Sequence, residues 1–181
     1  WPGSADALMN VIDHRRQSVL IIGAPGTGKT TMLRLIGGFL TPSRISVAMS
    51  CVGLAQRAQQ LAVDHALERT TFGKPLAARQ AIAFALAENA ADIEAARALT
   101  LHAASAWQDG IPDAGSLSSM AKLTAVDMLT RVTDKALQVH GGSGYWKTSP
   151  IERVYRDARA QRFEEGTNEI QKTVIARALF R

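Results

Sequence analysis

Two stretches hold residue types that could do chemistry. The first is GAPGTGKTT at residues 23–31, which fits G-x-x-x-x-G-K-[ST]. In that pattern Gly23, Gly26 and Gly28 let backbone N–H groups converge on phosphate oxygens. Lys29 reaches the terminal phosphates and Thr30 holds magnesium. The second is EEGTNEI at residues 164–170: two carboxylates, a glycine, then the start of a helix. A carboxylate there is stabilised by the open N–H groups of the helix and by its dipole. Read alone it is a cap.

The first stretch has a fitting local context. SVLII at residues 18–22 reads as a strand before the loop, and TTMLRLIGGFL at 30–40 as a helix after it. Residues 1–43 therefore resemble a β-loop-α fragment of a P-loop ATPase. A nucleotide hydrolase also needs a covered parallel sheet, and a second strand ending in an acid that orders magnesium and water. The nearest matches are LAVD at 61–64 and LTAVD at 123–127, and both lie in alanine-rich helical stretches. No other strand candidate follows residue 43, and one strand cannot satisfy its backbone alone. Nucleotide binding stays open as a reading; hydrolysis is not expected.

The elements that must position these residues change character near residue 42. Gly37, Gly38 and Pro42 are expected to end the first unit. Helical stripes follow. Ile45, Ala48, Val52, Ala55, Ala58 and Ala62 align over 44–68; Ile82, Leu86, Ala90, Ile93 and Ala96 align over 77–107. Leu117, Met120, Thr124, Met128 and Val132 share a face over 117–139. A short helix at 151–158 and a last one at 168–180, with Ile170, Val174 and Ile175 as its apolar face, complete the pattern. TTFGKPL at 70–76, DGIPDAGS at 109–116 and HGGSGYWKTSP at 140–150 are the breaks. Short loops between long helices predict an all-α fold, an antiparallel four-helix bundle preceded by the β-loop-α segment.

Three segments within this helical part carry a resemblance. LAVDHALERTTFGKPLAARQAIAFALAENAADIEAAR, ALQVHGGSGYWKTSPIERVYRDAR and FEEGTNEIQKTVIARAL are similar, in order and spacing, to the C-terminal helical domain of acyl-CoA dehydrogenases. The resemblance covers about residues 44–181. It implies α,β-dehydrogenation of acyl-CoA thioesters with FAD as hydride acceptor. Glu165, in the position before Gly166 and Thr167, would take the α-proton, and Gly166 would lie against substrate. Some family members carry the base just before an arginine on the first bundle helix; that slot is Ser43 here, beside Arg44, which matches an arginine near the acyl-CoA.

For the cofactor, the resemblance implies that Arg69 meets the FAD pyrophosphate of a neighbouring subunit. Phe72 and Gln80 match positions lining the same cofactor. Gln138, Val139, His140, Gly141 and Gly142 match the segment beside the adenosine half, and Thr167 and Glu169 match positions near the flavin diphosphate. His140 is assigned no catalytic chemistry. Taken singly these residues have bland readings: Arg69 a solvated helix-end charge, Phe72 ordinary core, the glycines a simple turn. The joint pattern outweighs them.

The totals agree with a soluble globular chain. Hydrophobic residues are 46% and charged residues 20% of 181, with a formal net charge of +5. The positive balance suits an anionic ligand such as a nucleotide or coenzyme. No Lys/Arg block with interleaved aromatics supports a nucleic-acid role, and no long apolar span supports a membrane role. Cys51 is the only cysteine, which excludes an internal disulfide and a cysteine-rich metal site, and it reads as a small buried residue. A cytoplasmic location, a homo-oligomer (dimer or tetramer) and electron-transfer flavoprotein as a partner are the remaining expectations. The family's preceding helical and β-domains are not among these residues, so the chain reads as a fusion or rearranged product. A non-catalytic oligomerisation module is the alternative, and a nucleotide-binding protein using Lys29 is a second.

Overall fold

The structure, a computed structural model, describes residues 29–180, with side chains from residue 39. The expected strand at 18–22 and Gly23, Gly26 and Gly28 lie outside the described residues, as do the side chains of Lys29 and Thr30. The chain divides into two compact units, Trp1–Phe39 and Leu40–Arg181. The second is all-α apart from one short hairpin.

Helix α1 spans Lys29–Glu68, 40 residues, with Pro42 inside it. The expected break at Gly37, Gly38 and Pro42 is therefore absent. Proline removes one backbone donor and crowds the preceding turn. Here burial of Thr41 and Arg44 on either side of it holds that turn helical. A hairpin follows, with β1 (Thr70–Thr71) antiparallel to β2 (Lys74–Pro75). No strand was expected after residue 43, and this ladder is too short to leave an alternating pattern. Its two central residues, Phe72 and Gly73, sit at φ 49° and 77°, the left-handed pair that two-residue hairpins require.

Helix α2 (Gln80–Gln108), α3 (Ala114–His140), α4 (Pro150–Ala160) and α5 (Asn168–Leu179) complete the unit. Arg131 and Lys135 of α3 pair with Asp92 and Glu88 of α2, so the two helices run in opposite directions. Arg44 meets Ser119, and His65 stacks on His140. Both pairs are 75 residues apart, so α1 and α3 run parallel.

The α1 stripe is buried as expected from Ala48 to Ala62, with Ile45 only half-buried against it. Ala48, Cys51, Val52, Ala55, Ala58, Ala62 and Ala66 are all inaccessible, which lets helix axes approach closely. Burial pushes the Cys51 thiol up to about 12, with Lys122 opposing and Glu164 adding, so it is an inert core residue. Other stripes need correction. Asn89, not Ala90, is buried on α2; it donates to Gln59, which in turn donates to the Leu86 carbonyl. Helix α3 is central and buried on several sides, with Lys122 inside and Thr124 exposed. Helix α5 buries Asn168 and Gln171 and leaves Ile170 half exposed.

Candidate active site

Glu165 sits in the link between α4 and α5, at φ 50°, followed by Gly166 at φ 94°. A non-glycine residue in that region is strained and persists only where its surroundings over-determine it. The surroundings here are two fully buried polar side chains. Gln171 Nε2 donates to the Glu165 and Gly166 carbonyls, each at 3.0 Å. Lys122 Nζ donates to the Gly166 carbonyl at 2.9 Å and the Arg162 carbonyl at 3.4 Å. Asp127 ties down both flanks, accepting from Arg162 and Asn168, each at 2.9 Å.

The Glu165 carboxylate is half-buried and projects towards α1, where Ser43 Oγ lies 2.9 Å from its Oε2. Arg44 is buried next to it. Its Nη1 reaches Ser119 Oγ at 3.3 Å, and its Nε has no hydrogen-bond partner among the described residues. Burial lowers the Arg44 pKa and the Glu165 charge opposes the shift. Burial likewise lowers Lys122; Cys51 and Glu164 oppose, while Arg44 and Arg162 add. Glu164 is exposed and is not a second member of the site. Thr167 starts α5 at its N-cap; the backbone N–H and the Thr167 hydroxyl hold the Glu169 carboxyl below its ordinary range.

A second cluster forms where α1 and α3 end. His65, Arg69, Leu76, Val139, His140, Gly141, Gly142 and Ser143 line an open cleft of about 370 Å³. The stacked imidazoles of His65 and His140 have centroids 4.4 Å apart. Nothing acidic lines this cleft, Arg69 is exposed, and a Cβ on Gly141 or Gly142 would meet only open space. These features fit a diphosphate-bearing group, with the Arg69 guanidinium as cationic donor on one wall and bare backbone on the other.

The structure therefore sorts the expected residues into two groups. Glu165, Gly166, Arg44, Thr167 and Glu169 lie at one end of the bundle; Arg69, Val139, His140, Gly141 and Gly142 lie at the other. From Arg44 to His65 is 21 residues of α1, roughly 30 Å. Phe72 is 97% exposed at the hairpin tip, with Arg79 over its ring, and is not core. Gln80 and Gln138 are exposed and outside the cleft lining. Sequence reasoning missed Lys122 and Gln171 altogether. Among the described residues no group of His, Cys, Asp or Glu could hold a metal ion, and no helix is long and apolar enough to cross a membrane.

Comparison with known proteins points one way. Residues 33–180 match the family described as acyl-CoA dehydrogenase, C-terminal domain. The probable acyl-CoA dehydrogenase FadE25 of Mycobacterium tuberculosis is 40% identical over 161 residues, 89% of this chain and 40% of the relative. The butyryl-CoA dehydrogenase structure from Megasphaera elsdenii superposes with TM-score 0.79 at 39% identity, over 85% of this chain and 39% of that one. An acyl-CoA dehydrogenase of Bacillus anthracis complexed with FAD superposes with TM-score 0.78 at 27% identity, over 83% and 29%. The chain thus spans about two fifths of the length of the curated relatives it matches.

Proposed function

The chain belongs to the acyl-CoA dehydrogenase family as its C-terminal domain, and on that footing we propose that it carries the proton-abstracting half of an acyl-CoA dehydrogenase site. The reaction is α,β-dehydrogenation of an acyl-CoA thioester. The observation that carries this reading is Glu165: a half-buried carboxylate on a strained turn, held by Lys122 and Gln171. Such a carboxylate is pre-aimed to take the α-proton. Arg44, buried with an Nε that has no partner among the described residues, sets a positive charge beside that carboxylate and near the acyl-CoA. Bound FAD would accept the hydride from the β-carbon.

The Arg69 cleft fits the diphosphate and adenosine part of that cofactor, and Phe72, Gln80, Gln138, Thr167 and Glu169 fit its margins. Because the two clusters lie roughly 30 Å apart along α1, one extended cofactor is held between the Glu165 end of one copy and the Arg69 end of another. The working form in this reading is a homo-oligomer. Electron-transfer flavoprotein is the proposed electron acceptor.

The test is Glu165→Gln. Oxidation of butyryl-CoA by the FAD-loaded chain should fall by at least about a hundredfold, the usual size of a general-base contribution. Retained oxidation removes the assignment. A second reading, a helical oligomerisation module without turnover, draws on the exposure of Phe72, Tyr145 and Trp146 at 97%, 82% and 71%. It requires Glu165→Gln to leave assembly and every other measured property unchanged.

A further inference from the structure

The hydroxyl of Ser43 has two acceptors and one proton. Its Oγ lies 2.9 Å from Glu165 Oε2 and 3.1 Å from the Leu40 carbonyl one turn back on its own helix. With Glu165 ionised, both acceptors compete, and the charge-assisted bond to the carboxylate is the stronger. With Glu165 protonated, the carboxyl becomes a donor. The same hydroxyl then turns its proton to Leu40 and accepts the proton of Glu165. Either way no polar group at the contact is left unsatisfied, and the carboxyl oxygen need not move.

From this geometry we infer that Ser43 is a positioning residue for Glu165, a hydroxyl rotor that holds the carboxyl in one orientation before and after it takes a proton. The inference rests on the reading of Glu165 as the base. The contact bridges 122 positions of sequence, from α1 to the link before α5. It also sits next to Arg44, whose charge would otherwise be free to draw the carboxylate to its own side. Gln171 and Lys122 fix the backbone of the turn; Ser43 fixes the carboxyl itself. Removing the hydroxyl leaves the helix intact, since alanine is the strongest helix former.

Two readouts on the full chain test this. The first is the side-chain carboxyl ¹³C resonance of Glu165, assigned by its disappearance in Glu165→Gln. It should shift in Ser43→Ala and return in Ser43→Thr, which restores the hydroxyl. The second is exchange of the α-proton of butyryl-CoA with deuterated solvent by the FAD-loaded chain. Its maximal rate should fall about tenfold in Ser43→Ala at nearly constant KM and recover in Ser43→Thr, the pattern expected of lost alignment. An unchanged resonance in Ser43→Ala, or no recovery in Ser43→Thr, overturns the rotor. Exchange that survives Glu165→Gln overturns the base assignment instead, and the resonance still reads the Ser43 contact directly.

Discussion

Lys122 Nζ lies 2.9 Å from the carbonyl oxygen of Gly166, with its side chain wholly inside the bundle. A buried ammonium is costly unless hydrogen-bonded, and here its acceptors are two carbonyls of the turn that carries Glu165. Replacing such a charge by an apolar residue of similar length removes the desolvation penalty together with the bonds. Lys122→Met should therefore keep its thermal midpoint to within about 1 kcal/mol of stability, while Lys122→Ala loses about 2–5 kcal/mol through the cavity. Both should slow acyl-CoA oxidation. Calorimetry paired with steady-state rates separates the two effects.

Gly166 is the tightest glycine of the turn. A Cβ there would meet Gln171 Nε2 at 3.0 Å and Ile170 Cγ2 at 3.2 Å, at a φ of 94°. Gly166→Ala should destabilise by about 1–3 kcal/mol and release the Gln171 clamp. Chemical denaturation checks the first part, and proteolytic nicking between α4 and α5 the second.

Phe72 holds a left-handed φ of 49° with its ring almost wholly in solvent. The strain of that conformation, about 1–2 kcal/mol, is not repaid by burial in the protomer. Phe72→Gly should therefore raise stability by up to about 1 kcal/mol and at the same time reduce FAD retention after desalting. Lower stability and unchanged flavin would mean the ring serves the hairpin, not the cofactor.

His65 is held below its ordinary value by burial first, then by the charges of His140 and Arg69, with Glu68 opposing. The unfolded chain therefore takes up a proton at this position at higher pH than the folded one. Stability is full above roughly pH 6.5, the unperturbed histidine value, and falls as pH drops below it. A thermal-midpoint series from pH 8 to 5 should show this slope. In His65→Gln it should be shallower.

Legibility in the sequence followed the chemistry of burial. The small apolar residues of α1 repeat at helical spacing, so the stripe from Ala48 to Ala62 could be read directly. Glu165 and Gly166 were legible as a motif. Lys122, Gln171 and Asn89 were not, because a buried polar residue looks like a surface one until its partner is seen. Their partners are loop carbonyls and another amide, which leave no periodic mark. Pro42 misled for the opposite reason: its local preference is to end a helix, and flanking burial overrode it.

The Glu165 and Arg69 clusters lie at opposite ends of the bundle, and that spacing along α1 has a kinetic corollary. If each cofactor needs one end of one copy and the opposite end of another, a solitary protomer owns two half-sites and no whole one. Flavin occupancy then becomes second order in protein. Dilution alone would act as an inhibitor, and titrating in a Glu165→Gln partner would rescue an Arg69→Ala chain by lending it an intact cleft.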